Sequence, residues 1–185
     1  MKFQFHVTIN DEDYLAFNRF HLFRFPYGKR RLLQTRLLFV AIFGVASLIT
    51  PVLCGFDGIP LLVSGVLLVG LGIYQLLFRW RMDRWLRGQI KKIKKKVKAP
   101  YTPRSTMEFY EDRFVEIAPD ERTERSYTTL ECVSVVDGRY IYLHLNQIQV
   151  YILPTNAFAS REEYVAFLAF LETVCPKIDI YNAKK

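Results

Sequence analysis

The sequence predicts a membrane α+β protein, in which a two-helix transmembrane hairpin joins a small antiparallel β-sheet domain that ends in a helix. Three observations predict this class. Two uncharged apolar runs, 37–54 and 59–78, are separated by only four residues. Basic residues flank this pair of runs on both sides. Beyond residue 104 the apolar pattern changes to the period of two that is typical of β-strands.

Each apolar run is about as long as the ~20 helical residues that cross a bilayer. Leu, Ile, Phe and Val fill eleven positions of 37–54 and thirteen of 59–78. Their gross insertion free energy is about −3 to −8 kcal/mol per helix. The turn Gly55-Phe56-Asp57-Gly58 is short enough for a tight reversal. The alternative is a helical hairpin in a soluble core, where two uncharged runs of this length are uncommon.

The flanking charges predict the orientation of the hairpin. Between Arg19 and Arg36 there are six basic residues and no acid, and 79–98 carries ten basic residues against Asp83 alone. The turn between the runs holds only Asp57. Because cytoplasmic flanks of membrane helices are enriched in Lys and Arg, both termini are expected in the cytoplasm and Asp57 outside.

Residues 1–36 are expected to form an N-terminal strand and a juxtamembrane helix. Apolar residues alternate from Phe3 to Ile9, and a lone strand must pair with strands from beyond residue 104. Asn10 is a predicted helix N-cap, and the helix should end before Pro26. This aromatic-rich helix either lies at the lipid headgroups or packs on the soluble domain.

Residues 79–103 are expected to form a basic amphipathic helix and a linker. One apolar stripe runs along it, at Met82, Leu86, Ile90, Ile93 and Val97. It either docks on an anionic leaflet or is a solvated helix whose charge sets the topology. The residues expected at the membrane surface are Arg79, Trp80, Trp85, Lys91, Lys92, Lys94, Lys95 and Lys96. Nucleic acid is not an expected partner, because no groove-reading module accompanies the charge.

Residues 104–185 are expected to form an antiparallel β-meander followed by one helix. Predicted strands cover 106–110, 114–118, a long segment through Val136, 140–145 and 148–153, with a polar loop over 119–125. Asp137-Gly138 is a strong two-residue hairpin turn. Ser160 and Glu163 form a predicted capping box for the helix, which Pro176 ends.

This order of elements resembles the YcxB-like family of bacterial membrane proteins. The likeness is carried by "FYEDRFVEI" at 109–117, "YTTLECV" at 127–133, "YIYLHL" at 140–145 and "YILPTNAFAS" at 151–160. The resemblance implies a small bent sheet similar to pleckstrin-homology-like domains, in a bacterial plasma (inner) membrane. It implies no activity. One departure is the first meander turn, which has Asp112-Arg113 where a glycine would be easier.

Catalytic, cofactor-binding and metal-ligating residues are not indicated. The sequence has no glycine-rich phosphate loop, no HExxH motif and no nucleophile elbow. His6, His21 and His144 lie far apart in sequence. Cys54, Cys132 and Cys175 show no metal or disulfide spacing, so reduced thiols are expected.

Three functions remain open. The favoured one is a non-enzymatic, membrane-anchored binding or regulatory module whose cytoplasmic domain recognises a protein or peptide along a sheet edge. The second is a sensor of anionic lipid, and the third is an enzyme whose site the sequence does not reveal. The expected partners are a bilayer with an anionic leaflet and either an unknown protein or a second copy of the chain.

Overall fold

The computed structural model of the protein describes residues 1–96, 101–147 and 149–182. The chain divides into two compact units. One unit combines Met1–Phe17 with Ile93–Lys185, and the other is Asn18–Lys92. The fold class is α+β, with two long apolar packed helices, two small β-sheets and a C-terminal helix.

The first helix, α1, is Asp11–Phe23, and its start confirms the predicted cap. Asn10 Oδ1 accepts hydrogen bonds from the backbone N–H groups of Glu12 at 2.8 Å and of Asp13 at 3.0 Å. In return, Asp13 Oδ2 accepts a hydrogen bond from the backbone N–H of Asn10 at 3.0 Å. These bonds satisfy donors that a helix N-terminus otherwise leaves unpaired. The helix ends before Pro26, as predicted.

Two long helices follow, α2 at Pro26–Cys54 and α3 at Gly58–Lys96. Pro26 is the first residue of α2, a position where its missing N–H costs nothing. The apolar windows of α2 and α3 have mean hydropathies of 2.5 and 2.2, and only 6% and 11% of them is buried. The two helices pack together, with the rings of Phe39 and Tyr74 5.0 Å apart. They are therefore compatible with membrane insertion.

The first sheet contains β1 (Phe3–Thr8), β2 (Arg104–Phe109), β3 (Arg113–Ile117) and β4 (Arg122–Ser126), paired in that order and antiparallel. Pairing of β1 with β2 puts Phe5 opposite Met107 and Val7 opposite Ser105. The prediction that the N-terminal strand pairs with strands beyond residue 104 is confirmed.

The second sheet has the order β7-β6-β5-β8, with β5 at Cys132–Val136, β6 at Tyr140–His144, β7 at Val150–Pro154 and β8 at Ile178–Tyr181. The β5–β6 turn is at Asp137 and Gly138, whose φ angles of 53° and 60° suit a type I′ hairpin. This predicted hairpin is confirmed.

The hydrophobic core of the unit that contains both sheets lies between these sheets and the last helix, α4 (Arg161–Val174). Phe167 of α4 is fully buried at its centre. Its ring lies 4.9 Å from the ring of Phe5 and 4.7 Å from that of Phe109. The predicted cap of α4 is confirmed, because Ser160 Oγ accepts a hydrogen bond from the backbone N–H of Glu163 at 3.2 Å.

The single antiparallel meander predicted for 104–185 needs correction in three places. The segment predicted as a polar loop, 119–125, contains most of β4. The long strand predicted through Val136 is interrupted by a short 3-10 helix at Tyr127–Thr129. The unpredicted strand β8 pairs in parallel with β5, and the strands form two sheets. Ile148, the predicted start of β7, and the linker residues 97–100 lie outside the described residues.

Candidate functional site

A cleft with basic and aromatic walls lies between α2 and α3, beside the ends of the two apolar runs. Its volume is about 280 Å³. We name it the basic cleft, and its lining residues are Phe23, Lys29, Leu32, Leu33, Arg36, Phe78 and Arg79. All of them belong to the unit Asn18–Lys92.

Helical periodicity explains why these residues meet. Four of them follow the spacing i, i+3, i+4 and i+7, which is one face of α2: Lys29, Leu32, Leu33 and Arg36. Arg36 directly precedes the first apolar run, and Arg79 directly follows the second. Since a hairpin brings the start of one helix beside the end of the next, both arginines belong at the same level.

Neighbouring groups hold the arginine side chains in place. The Arg36 Nε donates a hydrogen bond to Gln75 Oε1 at 2.8 Å, and its guanidinium lies 5.3 Å from the centre of the Phe78 ring. The Arg79 guanidinium lies 5.6 Å from the centre of the Phe23 ring. Aromatic faces attract cations without neutralising them. Both arginines therefore keep a full positive charge at the cleft.

The corner between α1 and α2 positions Phe23. A Cβ atom built on Gly28 would collide with the backbone carbonyl of His21, so only glycine permits this close approach. Farther back on α1, the Arg19 Nε and Nη2 both donate to the Asp83 carboxylate of α3, the second at 2.8 Å. This pairing raises the pKa of Arg19. The end of α1 is thus joined to both long helices.

The charge around the basic cleft is strongly positive. The unit Asn18–Lys92 contains twelve Lys and Arg residues against two acids, Asp57 and Asp83, which gives a formal charge of +10. Asp83 is already paired with Arg19 and with Arg87. Within the described part of the chain, no carboxylate lines the cleft and Lys29 has no ion-pair partner. Three cations therefore face it without a counter-charge.

The structure brings one predicted membrane-surface residue, Arg79, into the cleft. Trp80, Trp85, Lys91 and Lys92 are exposed on α3 outside it. Lys94, Lys95 and Lys96 belong to α3, but their side chains are outside the described residues. In the sequence, Lys29 and Arg36 are basic residues that precede the first apolar run. Their convergence with Arg79 was not predicted. The available signal for this convergence was that Arg36 directly precedes the first apolar run and Arg79 directly follows the second.

Two residues of the apolar stripe on the basic helix are buried in the structure. Leu86 and Ile90 are only 8% and 7% exposed, because protein covers them. Met82 is half-buried. The side chains of Ile93 and Val97 are outside the described residues.

The groups able to carry chemistry lie apart from one another. Within the described residues, no three His, Cys, Asp or Glu side chains are grouped to hold a metal ion. Burial raises the pKa of the Cys175 thiol to about 11, and burial is also the main cause of the raised pKa of Cys132. Both thiols are protonated at neutral pH, unlike an activated nucleophile. Burial lowers the pKa of His21, which is neutral at pH 7.

Comparison with known proteins identifies one part of the chain. Residues 109–171 match the family model described as YcxB-like protein. No curated protein matches the chain, and no solved structure does. The matched segment runs from the last residue of β2 to Leu171 in α4, and it includes the four stretches whose sequence resembles this family. Over residues 109–171, the chain is therefore similar to the YcxB-like family.

Proposed function

We propose that this protein is a non-enzymatic binding or regulatory module, anchored in a bacterial plasma membrane by the hairpin of α2 and α3. The exposed apolar surface of both helices supports the anchor. Core helices of a soluble protein would be mostly buried, whereas 6% and 11% of these apolar windows is buried. The basic flanks and the lone Asp57 in the turn support cytoplasmic termini.

The cytoplasmic unit would act as a pleckstrin-homology-like domain that binds a protein or peptide at a sheet edge. The two packed sheets and the helix α4 over their core support this description. The binding proposal rests on the position of β8 at the edge of the second sheet. This strand pairs only with β5 in the described part of the chain, and its Ile180 is 66% exposed. An exposed edge with an apolar side chain favours addition of an extended peptide strand.

Another edge strand, β4, is less suitable. Its exposed side chains include Arg122, Glu124 and Arg125, and Arg113 Nε of β3 pairs with Glu124 at 2.8 Å. Charged side chains on an edge strand oppose pairing with further strands. We therefore favour β8 over β4 as the strand that pairs with the peptide.

Site-specific photo-crosslinking in the native membrane tests this function. A photoreactive amino acid at Ile180 should give one cross-linked product of defined mass. The matched controls are the same probe at Val165, which is exposed on α4, and at Thr123 on β4. Equal products from all three positions, or none at Ile180, would refute recognition at β8.

A second candidate function is the sensing of anionic lipid. The partition of charge favours it, because Asn18–Lys92 carries +10 while the rest of the chain carries −2. Each Lys or Arg near an anionic leaflet contributes about 1 kcal/mol of attraction. Reconstitution into vesicles distinguishes the two functions. A peptide-binding module keeps its cross-link at Ile180 in neutral vesicles. A lipid sensor changes its conformation when phosphatidylglycerol is added to the vesicles.

A further inference from the structure

We propose that the basic cleft binds one anionic phospholipid, with the headgroup phosphate between Lys29, Arg36 and Arg79. The inference rests on the proposed membrane anchorage, since the cleft lies at the level of lipid headgroups only if α2 and α3 span a bilayer. The inference goes further than anchorage because it names a binding site and its ligand. General attraction of basic residues to an anionic surface needs no such site.

The charge and geometry of the cleft suit a phosphate. Three cations line a volume of about 280 Å³ with no carboxylate among its described lining residues. Guanidinium groups bind phosphate through paired N–H donors, and Lys binds it as a point charge. Gln75 and Phe78 hold Arg36, and Phe23 supports Arg79, so little side-chain freedom is lost on binding.

The apolar walls indicate a lipid over a small soluble anion. Leu33, a lining residue, is an exposed apolar side chain beside the cations, and Leu32 lies one residue before it on the same face. An inorganic phosphate would leave these leucines in contact with water, whereas the glycerol and first acyl carbons of a phospholipid would cover them. Removal of these apolar groups from water stabilises the bound lipid.

A second cleft between the same helices offers room for an acyl chain. It has a volume of about 190 Å³, and its lining includes Phe39 and Phe43 of α2 with Gly70 and Tyr74 of α3. Phe39 is three residues beyond Arg36, and Phe43 is seven residues beyond it, on the same face of α2. The ring of Tyr74 lies 5.8 Å from that of Phe78, which lines the basic cleft. The basic cleft for the headgroup and the second cleft for an acyl chain thus follow each other along the facing sides of α2 and α3.

The test uses the full-length protein in mild detergent, with binding of phosphatidylglycerol measured by native mass spectrometry. Phosphatidylcholine and inorganic phosphate are the comparison probes. Lys29→Gln is the cleanest variant, because Lys29 has no ion-pair partner among the described residues. We expect it to weaken phosphatidylglycerol binding about fivefold, and Arg79→Gln to do the same. Arg36→Lys, which keeps the charge, should bind more tightly than Arg36→Gln.

The matched controls are Arg30→Gln and Arg31→Gln, which remove the same charge from the same helix turn but do not line the cleft. We expect less than a twofold change from each. Equal weakening by cleft and control variants would overturn the site, since only bulk attraction would remain. Equal binding of phosphatidylcholine, or competition by inorganic phosphate at similar concentration, would also overturn it.

Failure of the anchorage itself would look different. If a high-salt wash released the protein from membranes without detergent, the anchor and the lipid site would both be wrong. If the protein needs detergent for extraction but shows no preference for phosphatidylglycerol, the lipid site alone is wrong.

Discussion

Arg19 of α1 and Asp83 of α3 form a two-pronged ion pair, in which Arg19 Nη2 donates to Asp83 Oδ2 at 2.8 Å and Arg19 Nε donates to the other oxygen. Their side chains are 40% and 29% exposed. Paired N–H donors facing one carboxylate are among the stronger polar contacts in proteins. The pair fixes the end of α1 on α3, next to the corner that carries Phe23 into the basic cleft.

Breaking this pair should loosen the end of α1. Because the pair is partly exposed, we expect a coupling free energy of about 1 kcal/mol between Arg19→Gln and Asp83→Asn in a double-mutant cycle. Hydrogen exchange of the backbone amides at 18–23 in each variant measures this coupling free energy. The control is Arg87, whose Nε lies 3.2 Å from Asp83 Oδ2 one helix turn away and whose side chain is more exposed. A coupling for Arg87 as large as that for Arg19 would contradict this ranking.

Gly28→Ala should destabilise the corner between α1 and α2. The new methyl group would collide with the His21 carbonyl, which is backbone and cannot rotate away. We expect a loss of about 1–3 kcal/mol in the free energy of unfolding, together with weaker phosphatidylglycerol binding as Phe23 shifts. Gly88→Ala is the control, because nothing lies within 4 Å of its Cβ position. That change in α3 should be neutral or stabilising. Similar effects of the two substitutions would exclude the steric explanation.

Phe5→Ala should unfold much of the unit that contains both sheets. Phe5 is 1% exposed, and its ring lies 4.5 Å from Phe158 and 4.9 Å from Phe167. Truncation of a buried phenylalanine costs about 3–5 kcal/mol. Gln4→Ala, on the exposed face of the same strand, should change stability by about 0.5 kcal/mol or less. Thermal unfolding followed by near-ultraviolet circular dichroism measures both variants.

A fragment of residues 104–185 should aggregate, because it lacks β1. Without β1, one edge of β2 is unpaired, and Phe109 and Phe167 lose their contacts with Phe5. Fusion of residues 1–10 to the fragment should restore a monomer. Cooperative melting of the isolated fragment as a monomer would show that β1 is dispensable.

Two tyrosines should make the same unit sensitive to alkaline pH. Burial, and then a hydrogen bond from its hydroxyl to Asp13 Oδ1 at 2.9 Å, raises the pKa of Tyr140 to about 12. Burial and Asp11 likewise raise the pKa of Tyr101 to about 12. Because an unfolded tyrosine ionises near pH ~10, the stabilisation is complete below that pH and is lost as the pH rises towards 12.

Unfolding in denaturant across this alkaline range, with tyrosinate absorbance as a second signal, measures the effect. The double variant Tyr101→Phe with Tyr140→Phe should show a flatter dependence of stability on pH. The same slope in the double variant and the parent protein would assign the alkaline loss to other groups.

Local signals made much of this fold predictable. Asp137-Gly138 specifies its turn through φ angles that few residues adopt, and Ser160 with Glu163 specifies the start of α4 through hydrogen bonds three residues apart. The pairing of β1 with β2 followed from a physical requirement, because an isolated strand is unstable.

The missed features depend on contacts distant in sequence. Four of the five residues of β4, Arg122–Ser126, are exposed, so it lacks the apolar alternation that marks a half-buried strand. The four residues of β8 form a strand only because β5 accepts them in parallel. The basic cleft escaped prediction because Lys29, Arg36 and Arg79 converge only when two helices fold back on each other.

The central claim is that α2 and α3 cross a membrane as a hairpin with their turn outside. Cysteine labelling with an impermeant maleimide in intact cells tests it most directly, with Cys54 and Cys175 replaced by serine. One reporter is Gly58→Cys at the start of α3, and the other is Asp120→Cys, an exposed position in the unit with the sheets. We expect labelling of Gly58→Cys in intact cells and of Asp120→Cys only after permeabilisation. Labelling of Asp120→Cys but not of Gly58→Cys in intact cells would contradict the account.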